Sequence, residues 1–265
     1  MIDHPEFGVT NRADSRASLP QALENSLGGW RVPMKYISGI VLLLIIARAE
    51  ASEAIAVIGT GNVGGALGER WGRNGHTIIY GSRDPARPAV RELVARSGKL
   101  ASATWPAEAV RQAQIILFAV PWIAAEASAK SLGDLKGKIV LDATNPLTFD
   151  ARGLVELPVP HSGAELLQRW LPGAAVVKAF STLEYRVMSD PSVAGGPVTV
   201  LLATDDAGAR ERVAALVREL GLEPFNAGPL KNSRYVEGMA LLYVDLGSRP
   251  AAQSFEYYLR PLPTR

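Results

Sequence analysis

Between Ala54 and Gly65 the chain reads AIAVIGTGNVGG, an apolar segment of strand length running directly into glycines spaced Gly59-x-Gly61-x-x-Gly64. After the glycines, Leu67 and Trp71 continue at helical spacing, and a second apolar strand is expected at His76–Tyr80 once the helix ends near Gly75. This strand–turn–helix–strand order is the opening of a parallel α/β sheet, and each glycine has a mechanical task in it. Gly59 permits the tight turn, Gly61 lets the backbone approach a diphosphate, and Gly64 lets the helix lie against the strand. Free N–H groups and the positive end of the helix dipole favour an anion at that point. The spacing therefore points to a dinucleotide held by Gly59, Thr60, Gly61, Asn62, Val63 and Gly64.

The end of the second strand carries sharper information. About twenty residues past the glycines, sites for NAD place an Asp or Glu that accepts from the ribose hydroxyls. Here the segment is YGSRDP, with Gly81 where the acid would stand and Ser82 and Arg83 after it. Without the carboxylate, nothing repels a 2′-phosphate. The Ser82 hydroxyl and the forked Arg83 guanidinium supply donors for it. One such charged hydrogen bond contributes roughly 1.5–3 kcal/mol, enough to favour NADP(H) over NAD(H) about 10- to 100-fold. Asp84 stands beside them, but Pro85 should turn the chain so that its side chain faces elsewhere.

Two more continuous apolar strands follow, Ile115–Pro121 and Lys138–Leu147, alternating with helical stretches at Arg91–Ser97 and Trp122–Leu132. Such runs indicate a parallel sheet covered on both faces, with ligands off the carboxyl ends of its strands. Ala119, Val120, Pro121 and the segment around Asn145 should then border the nicotinamide. Beyond a Pro- and Gly-rich loop at Asp150–Gly163 come a helix at Ala164–Leu171 and strands at Ala175–Phe180 and Val198–Thr204. A helix with Val213, Leu216, Val217 and Leu220 on one face follows, then the strand EPFNA and a final helix with Val236, Met239, Ala240, Tyr243 and Leu246 as its core stripe. The expected architecture is α/β: a doubly wound parallel sheet of Rossmann type with a small carboxyl-terminal α/β cap. We divide it into an extension at 1–53, a nucleotide-binding domain at 54–147, and 148–265 as continuation of the sheet plus the cap.

Composition removes several chemistries. With no cysteine there are no disulfides, thiolate nucleophiles, thiolate zinc sites or iron–sulfur clusters. Three scattered histidines leave little for a metal, and a formal charge of +2 gives no footprint for nucleic acid. Neither Gly-x-Ser-x-Gly nor Tyr-x-x-x-Lys occurs, and no convincing acid–base set is visible. His161 is read as a surface residue. Lys178, inside an apolar strand, is read either as pairing with a phosphate or carboxylate or as packing its stem and sending its amine to water. Reducing a carbonyl requires a placed acid, whereas passing hydride between two carrier rings requires mainly apposition and exclusion of water. The lack of acid–base residues leans toward the second.

The first fifty residues are of another kind. Residues 1–33 are polar and read as an unstructured extension. They are followed by the apolar run Ile37 to Ala47, too short for the roughly 20 residues a spanning helix needs. Arg31 and Lys35 before it and Ala-x-Ala order after it resemble a secretory signal at 34–51. A translation start at Met34, a membrane-surface anchor and an apolar peptide packed on the domain stay open beside that reading. A cytoplasmic site is favoured by the cofactor chemistry, with export or tethering left open.

The chain resembles the NADPH-dependent reductases of factor 420, the 8-hydroxy-5-deazaflavin coenzyme, whose dinucleotide module also occurs in six-transmembrane metalloreductases and, more distantly, in pyrroline-5-carboxylate reductases. The likeness spans about Ala54 to Tyr243 and rests on IGTGNVG, GSRDP, FAVP, DATNPL, VVKAFSTL and GLEPFNAGPLKNSRYVE. It implies that Thr60 to Val63 hold the pyrophosphate, that Ser82, Arg83 and Arg87 clamp the 2′-phosphate, and that Ala119 to Pro121 border the nicotinamide. It also implies that a second ring stacks near Asn145 and Ser181. The chain departs from the pattern at Ser181, where archaeal deazaflavin enzymes tend to carry His and metalloreductase domains Asn. The second substrate is accordingly open between a deazaflavin and a flavin such as FMN or FAD. No set of membrane helices with haem ligands is present, so a complete metalloreductase is not expected. The expected protein is a homodimeric oxidoreductase moving hydride between NADP(H) and that small-molecule partner. An imine or carbonyl reductase and a non-enzymatic redox sensor are the rival readings.

Overall fold

In the computed structural model, residues 52–149, 155–156, 161–248 and 255–262 are described. Residues 1–51 of the expected extension, the apolar segment 34–51 included, lie outside the described residues. Strands β1 (Ala54–Ile58), β2 (Thr77–Gly81), β3 (Ala101–Thr104), β4 (Ile115–Phe118) and β5 (Ile139–Asp142) pair in parallel. A two-stranded antiparallel pair, β6 (Thr148–Phe149) and β7 (Val155–Glu156), stands apart from them. The large sheet continues through β8 (Ala175–Lys178), β9 (Thr199–Ala203) and β10 (Glu223–Gly228), in the order β10-β9-β8-β5-β4-β1-β2-β3. Strand order reverses between β1 and β4, which makes their carboxyl ends the switch point where ligands bind in such sheets.

The sheet is not wholly parallel. β9 meets β8 antiparallel, through the single pair Lys178 and Ala203, and β10 runs with β9. Strand β3, of sequence ASAT, escaped the sequence reading because it lacks the apolar run that marks its neighbours. It is an edge strand, half-exposed along most of its length, so little hydrophobic surface was demanded of it. The expected helix at Trp122–Leu132 is a 3-10 turn at Trp122–Ala124 followed by the helix α4 (Ala125–Lys130), numbered after α1 (Asn62–Arg73), α2 (Pro88–Arg96) and α3 (Pro106–Gln112).

Alternate residues of β1 face opposite layers. Ile55 and Val57 join a core with α1, α2, α6 (Tyr185–Ser189) and α7 (Ala207–Glu219), while Ala56 and Ile58 join one with α3, α4 and α5 (Gly163–Trp170). Trp71 of α1 is wholly buried, donates its indole N–H to the Leu216 carbonyl at 3.1 Å and meets the Phe180 ring edge-on at 6.0 Å. The α7 stripe is buried as the periodicity predicts. On the last helix, α8 (Ser233–Ser248), only Val236 and Ala240 of the expected stripe are fully buried, joined by two unexpected polar residues, Ser233 and Glu237. Met239, Tyr243 and Leu246 are half-exposed. No helix among the described residues is long and apolar enough to cross a membrane.

Candidate functional site

The glycine turn lies at the switch point and its geometry matches the three tasks. Gly59 has φ +110°, and a Cβ there would fall 2.3 Å from the Ala119 carbonyl oxygen. At Gly64 a Cβ would lie 1.9 Å from the Gly59 carbonyl oxygen and 3.0 Å from the Val57 side chain, so the first turn of α1 is pressed onto β1. A Cβ on Gly61 would meet nothing within 4 Å. The first two glycines are demanded by protein and the third by open space, which leaves a cradle. Gly61 caps α1 with no side-chain hydrogen bond, and no acidic residue stands in the first turn. The first amides of that helix therefore face the cleft with no side-chain acceptor. By contrast α5 and α7 are capped by Ser162 and Asp206, whose oxygens accept from Glu165 and Ala209 amides.

The cleft above this turn has a volume of about 980 Å³. It is lined by Gly59 to Val63, by Ser82, Arg83, Asp84 and Arg87, by Ala119 to Trp122, and by Asn145. Of the residues expected from sequence, only Gly64 and Ser181 are set behind its walls. Gly64 supports the turn. Ser181 is 6% exposed, and its backbone carbonyl accepts from the Asn145 side-chain amide at 2.9 Å.

Gly81 explains why no acid stands at the end of β2. A Cβ there would come 2.6 Å from the Ile58 side chain and 3.0 Å from the Pro106 backbone, so the place an aspartate would need is filled. Arg83 and Arg87 beyond it are exposed on the cleft, and Arg87 donates to the Thr60 hydroxyl at 3.4 Å. Arg83 has no carboxylate partner among the described residues. Asp84, expected to face elsewhere, instead lines the cleft beside the arginines and is exposed, although its carboxylate accepts from the Ala86 amide at 3.2 Å. Ser82 is drawn into the turn at Asp84: its hydroxyl donates to the Asp84 carbonyl at 2.9 Å and accepts from the Asp84 amide at 3.1 Å. The fixed cations are thus the two arginines, with the serine shaping the loop that carries them.

The opposite end of the cleft is mostly apolar. Ala119 is held by its amide donating to the Ile58 carbonyl at 2.8 Å, and Trp122 leans on Trp170 with ring centroids 5.7 Å apart. Two buried polar atoms have no partner among the described residues, Asn145 Oδ1 on the cleft wall and Ser181 Oγ just behind it. Such orphans are rare and point to a polar group supplied from outside. Phe180 sits just before Ser181 at φ 59°, a left-handed conformation that a phenylalanine keeps only when packing holds it, and Trp71 does so.

Sequence reasoning missed Trp122 as a wall of the cleft; for Lys178 the carboxylate alternative holds, with partners that were not named from sequence. Lys178, wholly buried, neither reaches water nor faces the cleft. Its ammonium pairs with Asp142 and Glu237, each at 3.1 Å, and donates to the Thr144 carbonyl. Burial alone would pull this lysine down, but the two carboxylates outweigh it and hold its pKa above the ordinary lysine value. The signal was there in two ionisable residues inside apolar runs, Asp142 in VLDATN and Glu237 beside Val236. His161 is exposed, as read.

Comparison with known proteins finds relatives among NADP-linked reductases. The family model for NADP oxidoreductase, coenzyme F420-dependent, matches residues 54–146. The chain is similar to the metalloreductase STEAP3 of Rattus norvegicus, 31% identical over 72% of this chain, although it spans only 37% of that protein. It is similar to the F420-dependent NADP reductase of Methanothermobacter thermautotrophicus, 28% identical over 79% of this chain and 95% of the relative. A solved structure from Arthrobacter sp. FB24, named as a provisional F420-dependent NADP-reductase, superposes with a TM-score of 0.71 at 28% identity, over 78% of this chain and all of its own. The glycine cradle and the arginine turn both lie within residues 54–146, and it is this nucleotide-binding stretch that matches the family model of the coenzyme F420-dependent NADP oxidoreductases.

Proposed function

We propose that this protein transfers hydride between NADP(H) and a deazaflavin-type ring laid over the nicotinamide. The observation that carries the first half is the paired geometry of Gly61 and Gly81. One leaves the approach to a diphosphate open, and the other closes the place of the acid that would select NAD. In this reading the amides of Thr60 to Val63 hold the diphosphate, and Arg83 and Arg87 grip the 2′-phosphate.

A bound nicotinamide supplies the hydride itself. The protein's part is placement and dryness. Ala119 to Pro121 wall one side of the ring, and Trp122, braced by Trp170, narrows the mouth against water. The unpaired Asn145 Oδ1 offers an acceptor at the ring end, with the Ser181 hydroxyl just behind the wall, which suits a carboxamide or the polar edge of a second ring. The proton that the reduced acceptor ring takes up comes from solvent in this reading, because the buried lysine is fully engaged. Alignment of two rings at contact distance can account for much of the acceleration, since well-oriented intramolecular reactions reach effective molarities of roughly 10⁵–10⁸ M.

Anaerobic mixing of NADPH-loaded protein with oxidised deazaflavin coenzyme, and separately with FMN, tests this. Loss of nicotinamide absorbance with the deazaflavin supports it. Turnover with FMN alone would reassign the acceptor, and turnover of imines without either would move the protein to another class of reductase.

A further inference from the structure

Three ionised side chains from three elements meet below the ring end of the cleft. Lys178 closes β8, Asp142 closes the adjacent β5, and Glu237 comes from α8, all 0–1% exposed. Each of the three lysine N–H bonds has a taker: Asp142 Oδ2, Glu237 Oε1 and the Thr144 backbone carbonyl. Asp142 Oδ1 in turn accepts from the Thr144 amide at 2.9 Å and its hydroxyl at 2.7 Å. Glu237 accepts from the Gly163 and Ala164 amides, at 2.8 and 3.2 Å, at the start of α5. A Cβ at Gly163 would be 3.0 Å from the Trp122 ring, so the same helix start backs the tryptophan at the mouth.

A buried ionic cluster is weak evidence for stability, because apolar side chains of like volume often serve as well. This one does something apolar residues could not. It pins the Thr144 carbonyl, amide and hydroxyl at once, one residue before Asn145, whose side chain bridges to Ser181. We propose that Lys178 is a positioning residue for the hydride-transfer end of the cleft, and that it ties the Thr144–Asn145 loop to α8 and to the start of α5. This rests on the reading that Asn145 faces the nicotinamide, with Ser181 backing it. Lys178 acts only through Thr144 and Glu237 and donates no proton to substrate.

The test uses the full chain with Lys178→Met and with Lys178→Met/Glu237→Gln. The double variant keeps the buried formal charge of the wild type, one excess negative, and so guards against unfolding by two unpaired carboxylates. Hydrogen exchange is followed by mass spectrometry. Exchange should quicken by at least about tenfold in segments covering 143–147 and 181–182, with β1 unchanged. The NADPH dissociation constant should stay within about threefold. Turnover with deazaflavin coenzyme should fall about 10- to 100-fold in kcat, as misplacement of reacting groups does. Unchanged exchange in the loop would overturn the proposal. So would parallel loss of NADPH affinity and kcat, or failure of both variants to fold, each of which makes the cluster scaffold only. If the wild type oxidises NADPH with neither deazaflavin nor FMN, the proposed function fails, and the exchange data alone decide the role of Lys178.

Discussion

The Cα of Gly64 faces the carbonyl oxygen of Gly59 so closely that a single added carbon would sit 1.9 Å from it, while the same carbon on Gly61 would hang in open space. Substitution should therefore separate folding from binding within one motif. Gly61→Ala should cost at most about 1 kcal/mol of stability, the ordinary range at a helix cap. It should still raise the NADPH dissociation constant by about tenfold or more, because the new methyl occupies the diphosphate's approach. Gly64→Ala must displace backbone, so its cost should appear in thermal melting, at about 1–3 kcal/mol or more. Differential scanning calorimetry and ligand titration on both variants read the contrast.

Arg83 stands exposed on the cleft with no carboxylate partner among the described residues. Arg83→Glu should weaken NADPH binding by about 100-fold or more, combining loss of a charged hydrogen bond with new repulsion. NADH, which lacks the phosphate, should lose far less. Fluorescence titration with both nucleotides checks this, and equal losses would remove Arg83 from the 2′-phosphate site.

Glu256 is half-buried against α8, accepting from the Tyr243 hydroxyl at 3.0 Å, while its other oxygen has no partner among the described residues. Burial raises its pKa above the usual carboxylate value, against the hydrogen bonds from Glu184 and Tyr243 that lower it. A carboxyl that binds its proton more tightly when folded makes stability fall as pH rises from the unfolded pKa through the folded one. Glu256→Gln should accordingly melt higher at neutral pH, by roughly 1–3 °C after allowance for solvent screening. Below the unfolded pKa the two proteins should melt together. A glutamine variant that melts lower at pH 7 would show that the charge is stabilising.

Much of the site was legible because its demands are local. The spacing of Gly59, Gly61 and Gly64 and the absence of an acid at Gly81 state in sequence what the backbone does in space. Continuous apolar runs likewise announced β1, β4, β5 and β9. The misses have a common cause in long-range partners. β3 is held by pairing with β2 rather than by its own apolar residues, and the antiparallel contact of Lys178 with Ala203 has no local signature. The role of Lys178 was undecidable from its strand, because its partners lie 36 and 59 positions away, at Asp142 and Glu237. Ser181 was placed near the ring end, but that its carbonyl rather than its hydroxyl meets Asn145 depends on the left-handed turn at Phe180.

Calorimetric titration of the full chain with NADPH and with NADH bears most directly on what the β1–α1 junction holds. NADPH should bind with measurable heat and at least about tenfold more tightly than NADH, the margin one charged hydrogen bond provides. Equal binding of the two would contradict selection at Arg83, and folded protein giving no heat with either nucleotide would contradict occupation of the cradle altogether.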